Sequence, residues 1–180
     1  NERWKLGLID STALWEFSIG EREKFWRAII EFCALKAETW GERDVVDADS
    51  LPGAKWFPDA RLNFAENILK RRDNDEAIVF WGENQVRRRM TFAELYDAVS
   101  LFAQALRAEG VVPGDRVAGY LPNMPEAIIS MLAAVSLGAT WSSCSPDFGL
   151  QGVLDRFGQI KPKVLIVSES YVYNGKVHDI

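Results

Sequence analysis

The sequence predicts an α/β fold: a helical N-terminal extension, then a β-hairpin, then a parallel-sheet βαβαβ unit. Three observations carry this. Between Val117 and Ile166, short β-favouring runs alternate with two helical segments, which within one sheet requires right-handed crossovers and parallel strands. The run Ala127–Ala139 is apolar all round, interrupted only by Ser130, Ser136 and Gly138. Its helix is therefore buried rather than amphipathic, and too short to span a bilayer. Upstream, strands Ala77–Trp81 and Gln85–Met90 flank Gly82-Glu83-Asn84, a hairpin signal.

The first fifty residues read as helical and aromatic-rich. Leu14, Phe17 and Ile19 suggest a short helix capped by Ser11 or Thr12. A second helix, from about Glu21 to Leu35, puts Phe25, Ile29, Phe32 and Leu35 on one face, widened by Trp26, Ile30 and Cys33. From Gly41 to Pro58 the chain is turn-rich, and Gly41, Pro52-Gly53 and Pro58 interrupt regular elements. Trp56-Phe57-Pro58 and Leu62-Asn63-Phe64 form an aromatic strap that leads into a short helix, Asn63 to Lys70. Core packing is the plainer role for these rings, with ligand stacking as the alternative.

Thr91 to Glu109 is the clearest helix. Thr91 and Glu94 make a capping box, and Phe92, Leu95, Tyr96, Val99, Phe102, Ala103 and Leu106 keep the helical period until Gly110. Losing the Thr91 cap costs about 1 kcal/mol. Pro113-Gly114 turns the chain into a strand at Arg116–Tyr120, Pro125 opens the buried helix, and Gly138 closes it before Thr140-Trp141. The loop Ser142–Gly149 then leaves the carboxyl end of a strand, where open α/β sheets keep their ligands. No repeat, low-complexity tract or flexible linker interrupts the chain, which predicts one compact unit with its N-terminal extension.

Composition narrows the function classes. With 48% hydrophobic residues and seven Trp among 180, the chain is globular. A net charge of −5 argues against nucleic acid or an anionic membrane as partner. Arg87-Arg88-Arg89 reads as a solvated hairpin edge protected by charge. The two cysteines offer neither zinc spacing nor a disulfide framework, which suits a reducing cytoplasm. The first residues carry no apolar signal-peptide core, although the chain opens at Asn1 without a Met.

Residue chemistry alone gives no reaction. There is no G-x-G-x-x-G and no G-x-x-x-x-G-K-[ST], which weakens a flavodoxin-like nucleotide binder. His178, the only histidine, reads as a surface residue. Cys144 has no neighbouring base to activate it as a nucleophile. Asp155-Arg156 reads as a structural or helix-face pair, and Asp147 as an N-cap of the following helix. No residue is assigned a catalytic or metal-binding role.

Three stretches change this picture: WFPDARLNFAEN (Trp56–Asn67), GDRVAGYLPNMPEAIISMLAAVSLGATWSSCSPDFG (Gly114–Gly149) and VLDRFGQIKPKVLI (Val153–Ile166). Together they resemble the N-terminal part of the acetoacetyl-CoA synthetases, a family of adenylate-forming acyl-CoA synthetases. The PNMPEA and SLGA words are shared across that superfamily; SSCSPDFG with DRFGQI is narrower and carries the acetoacetate assignment. The resemblance implies residues 1–55 as a helical extension and 56–180 as the first, incomplete portion of the AMP-binding large domain.

It also implies an acid–thiol ligase. Such enzymes convert a carboxylate and Mg-ATP to an acyl-adenylate and pass the acyl group to CoA, so AMP becomes the leaving group a carboxylate lacks. ATP, CoA and Mg²⁺ are the needs of a complete enzyme whose small-molecule substrates include acetoacetate, and whose other partner is the remainder of its own chain. The family's phosphate loop, adenine segment, ribose-binding Asp, hinge and catalytic Lys find no counterpart between Asn1 and Ile180. These residues alone are therefore expected to be inactive and to bind no cofactor tightly. The alternative is a noncatalytic module that binds an acyl-CoA or a protein.

Two local sites carry over from the resemblance. An Arg-Gly-Gly-Lys/Arg segment that contacts the nucleotide end of CoA in related acetyl-CoA synthetases falls on Tyr173, Asn174, Gly175 and Lys176. Tyr173 replaces the Arg, removing a bidentate phosphate donor; its ring can stack, and Lys176 offers a point charge. A polar Asn-Gly turn without a ligand is the other reading. Pro146, Asp147 and Phe148 fall on those relatives' Gly-Gly-Phe beside the pantetheine path, where a stiffer, bulkier loop shapes the substrate pocket.

Overall fold

The structure is a computed structural model that describes residues 4–83 and 86–180. It divides into two compact units, one up to Leu62 and one from Asn63 onward.

The first unit contains helices α1 (Ser11–Gly20) and α2 (Arg22–Phe32) and a pair of two-residue antiparallel strands, β1 (Val45–Val46) and β2 (Lys55–Trp56). Asp10, not Ser11 or Thr12, caps α1: its carboxylate accepts the Ala13 N–H at 2.8 Å. The second helix stops three residues before Leu35 because Ala34 turns left-handed at φ 48° and the Leu35 N–H folds back onto the Ile30 carbonyl. Phe25 and Ile29 are half-buried on the predicted face, but Phe32 is 69% exposed. The turn-rich stretch is more regular than predicted, since β1 and β2 pair across it. The strap aromatics pack on one another: Trp26 lies 6.0 Å from Trp56 and Trp40 lies 5.8 Å from Phe57, centroid to centroid.

The second unit begins with α3 (Phe64–Ile68), capped by Asn63. Asn63 uses both ends of its amide: Oδ1 accepts the Glu66 N–H, and Nδ2 donates to the Val135 carbonyl at 2.9 Å. Strands β3 (Glu76–Gly82) and β4 (Val86–Thr91) pair antiparallel as predicted; Asn84 and Gln85, which the sequence places in the turn and at the head of the second strand, lie outside the described residues. The basic run is neutralised locally. Arg88 pairs with Glu126, Arg89 pairs with Glu76, and Arg87 lies 4.6 Å over the Trp81 ring. Helix α4 (Phe92–Ala108) starts at the predicted capping box, with Thr91 Oγ1 accepting the Glu94 N–H and Glu94 accepting the Thr91 N–H.

Strands β5 (Arg116–Tyr120), β6 (Thr140–Cys144) and β7 (Val164–Val167) form a parallel sheet in the order β6-β5-β7. Helix α5 (Pro125–Ser136) crosses from β5 to β6, and α6 (Leu150–Ile160) crosses from β6 to β7. Val117 and Ala118 are fully buried on opposite faces of β5. Val117 joins the larger core with Leu95, Val99, Ile129 and Leu132 of α4 and α5; Ala118 joins Cys144 with Val153 and Phe157 of α6. The strand at β6 runs through Ser142, Ser143 and Cys144, so the loop that follows starts only at Ser145. An unpredicted hairpin, β8 (Ser170–Tyr173) and β9 (Lys176–Asp179), closes the chain.

Candidate functional site

Beyond the carboxyl ends of the three parallel strands lies a cleft of about 650 Å³. Pro122, Asn123 and Met124 after β5, Ser145, Pro146 and Asp147 after β6, and Ser168 after β7 line one side. The β3–β4 turn region, with Phe80, Trp81 and Glu83, and the strand β8, with Tyr171 and Tyr173, complete it. The position follows from topology. Chain order β5, β6, β7 against spatial order β6-β5-β7 sends the two crossovers to opposite faces, and the loops part at that reversal.

The loop after β6 is held from both sides. The Tyr120 hydroxyl reaches the carbonyls of Pro146 at 3.0 Å and Phe148 at 2.8 Å. Asp147 accepts from the hydroxyls of Ser145 at 2.8 Å and Tyr171 at 3.2 Å. Its carboxylate is thus engaged within the loop and by β8, and the N-cap of α6 is Gly149, with no side-chain cap. Burial, and then the Asp147 carboxylate it donates to, push the Tyr171 phenol above its usual value. Tyr171 also stacks on His178 at 5.2 Å, which makes that histidine half-buried rather than a surface residue.

Of the loop residues singled out by sequence, Pro146 and Asp147 line the cleft. Phe148 turns toward α6, where the Arg156 guanidinium lies 3.9 Å from its ring centroid. Arg156 is therefore engaged with Phe148 and not with Asp155, which accepts from Gln151 instead. Cys144 is buried against the α6 face, without the exposure a nucleophile needs.

The four residues at the other predicted site form a two-residue hairpin turn. Asn174 and Gly175 have φ of 50° and 70°, the left-handed pair that an Asn-Gly type I′ turn requires, and Tyr173 pairs with Lys176 across it. Tyr173 lines the cleft, and Lys176, its cross-strand partner, is exposed. Both predicted groups thus reach one region, through Pro146, Asp147 and Tyr173. Tyr120, Tyr171 and Glu83 were not signalled by sequence. A tyrosine at a strand end and a glutamate in a turn carry no motif; only the fold brings them here. Among the described residues, no group of three or more His, Cys, Asp or Glu side chains is placed to hold a metal ion, and no helix is long and apolar enough to cross a membrane.

The family model described as AMP-binding enzyme matches residues 64–179. The chain belongs to the AMP-binding enzyme family. A second model, the acetyl-coenzyme A synthetase N-terminus, matches residues 11–68. Among curated relatives of this AMP-binding chain, acetoacetyl-coenzyme A synthetase of Rhizobium meliloti (strain 1021) is 52% identical, and acetoacetyl-CoA synthetase of Danio rerio is 42% identical. Each alignment covers 99% of this chain and 27% of the relative. The solved structure of acetoacetyl-CoA synthetase from Streptomyces lividans matches with a TM-score of 0.89 at 41% identity, covering 98% of this chain and 28% of that one. The chain thus spans about a quarter of the length of the relatives it matches.

Proposed function

We propose that the chain is the N-terminal part of an acetoacetate–CoA ligase, which activates acetoacetate to an acyl-adenylate and transfers the acyl group to CoA. The carrying observation is identity of 41–52% over nearly the whole chain to three proteins named acetoacetyl-CoA synthetase. In that reaction ATP supplies the leaving group that a carboxylate lacks, with Mg²⁺ bearing phosphate charge. The residues of this chain position and orient. Tyr120 fixes the loop at Pro146–Phe148 beside the substrate path, Tyr173 offers a ring for the nucleotide end of CoA, and Lys176 offers a positive charge.

The same reading assigns residues 1–55 to a helical extension and 56–180 to the first portion of the AMP-binding large domain. In support, the two family models meet at residues 64–68 and the compact units meet between Leu62 and Asn63. A cytoplasmic setting and small-molecule partners, rather than nucleic acid or membrane, belong to the proposal and suit a net charge of −5 and two free cysteines. We also propose that this stretch alone makes no adenylate, because its sequence holds no glycine-rich phosphate loop.

The test is thioester formation by the natural full-length gene product given ATP, Mg²⁺, CoA and either acetoacetate or acetate, read by mass spectrometry. Acetoacetyl-CoA is the expected main product. Preferential acetyl-CoA formation would shift the acyl assignment, and no thioester at all would favour the noncatalytic acyl-CoA- or protein-binding module.

A further inference from the structure

Glu83 and the Asn174–Gly175 turn are 91 and 92 residues apart in sequence, yet they are joined directly in the fold. One carboxylate oxygen of Glu83 accepts the Asn174 N–H at 2.5 Å, and the other accepts the Gly175 N–H at 2.9 Å. Successive main-chain amides converging on one anion are the arrangement by which backbone concavities hold phosphates and carboxylates. Here the chain supplies the anion itself. The contact is charge-assisted, and it spans both oxygens, so it is stronger than a single neutral hydrogen bond.

The surroundings have the same sign. The charged side chains lining the adjoining cleft, among the described residues, are Glu83 and Asp147, and none is Lys or Arg. Arg87 is stacked on Trp81, whose ring lines the cleft. Lys176 follows Gly175 directly and pairs with Tyr173 across the turn. An anion approaching the turn therefore finds both amides taken and two carboxylates nearby.

We propose that Glu83 is a specificity-determining residue whose carboxylate occupies a main-chain anion site at the Asn174–Gly175 turn and excludes phosphate-type ligands from it. Replacing Glu83 frees two donors beside Lys176 and opens that site. In the wild-type chain Lys176 keeps its charge for the nucleotide end of CoA, while the two amides stay with Glu83. The proposal goes beyond the ligase reading and rests on groups that are all within this chain.

The experiment follows the backbone amide resonances of Asn174 and Gly175 in the ¹⁵N-labelled natural full-length gene product during titration with inorganic phosphate. It compares wild type, Glu83→Gln and Glu83→Ala. In the wild type, phosphate leaves the two amides unmoved. In Glu83→Ala it produces saturable shifts centred on them, with affinity tighter by about tenfold or more. Glu83→Gln removes the charge but keeps an acceptor on the turn, so it gives a smaller gain, and it carries the comparison if the alanine variant does not fold. Saturable phosphate shifts at these amides in the wild type would overturn the proposal. So would folded variants whose turn ignores phosphate. Failure of the ligase reading would appear in the thioester assay and would leave this titration unchanged.

Discussion

Gly119 occupies the middle of the central strand because a ring fills the space where its side chain would be. A Cβ built there meets two ring atoms of Trp141 at 2.6 and 2.7 Å, on the neighbouring strand β6. Real Cβ atoms do not tolerate such approaches, and an indole half-buried against the core has little room to swing away. Gly119→Ala is therefore overpacking, and it should destabilise the chain by about 1–3 kcal/mol. Urea unfolding followed by Trp fluorescence measures this, and a midpoint equal to wild type would show that the ring yields freely. The role of Gly119 was invisible in sequence, since a glycine inside a strand pattern signals a close approach without naming the neighbour. The loop holding Pro146 and Asp147 was legible as a ligand address at the end of a strand, and Tyr173 only through family resemblance. Their convergence on one cleft depends on strand order, which no residue encodes by itself.

At the scale of elements, strong local signals survived and weak ones did not. The capping box at Thr91 fixed the start of α4, and the three parallel strands lie where alternation and glycine punctuation placed them. The Asn-Gly turn was one of the readings, but the β8–β9 strands around it were missed because Ser170–Tyr173 and Lys176–Asp179 are four residues each and weakly patterned. The α1 cap was misplaced by one or two residues because Asp10, Ser11 and Thr12 are all competent caps, and backbone geometry chooses among them. The α4 cap has a measurable pH signature. The Thr91 N–H, then the Thr91 hydroxyl, hold the Glu94 carboxyl below its usual value. A carboxyl depressed on folding adds stability above its unfolded value of about 4.3, and that contribution is lost as pH falls through the lower folded value. Thr91→Ala should lose about 1 kcal/mol at neutral pH. Its deficit should shrink as the solution is acidified below the usual glutamate range, as read from thermal unfolding at a series of pH values. A deficit that stays constant across that range would separate the cap from the titration.

For the whole molecule, the second unit has a buried core, an ordered sheet and a cleft at its strand ends, whereas α1 and α2 bury no residue fully. Large apolar side chains such as Trp15, at 59%, and Phe32, at 69%, stay exposed in the first unit. The fold class was legible because hydrophobic periodicity in the second unit is strong and its helices are punctuated by Pro125, Gly110 and Gly138. The chemistry was legible only through the family words SSCSPDFG and DRFGQI, since an address at the carboxyl ends of strands says where a ligand sits and not which reaction follows. Membership of the AMP-binding enzyme family and the acetoacetyl-CoA synthetase relatives support the proposed reaction and the proposed acid. The most direct test is ATP–pyrophosphate exchange by the natural full-length gene product, with labelled pyrophosphate, Mg²⁺ and no CoA. The account predicts label entering ATP when acetoacetate is added and staying near background without it. Exchange indifferent to acetoacetate, or none in a folded full-length protein, would contradict it.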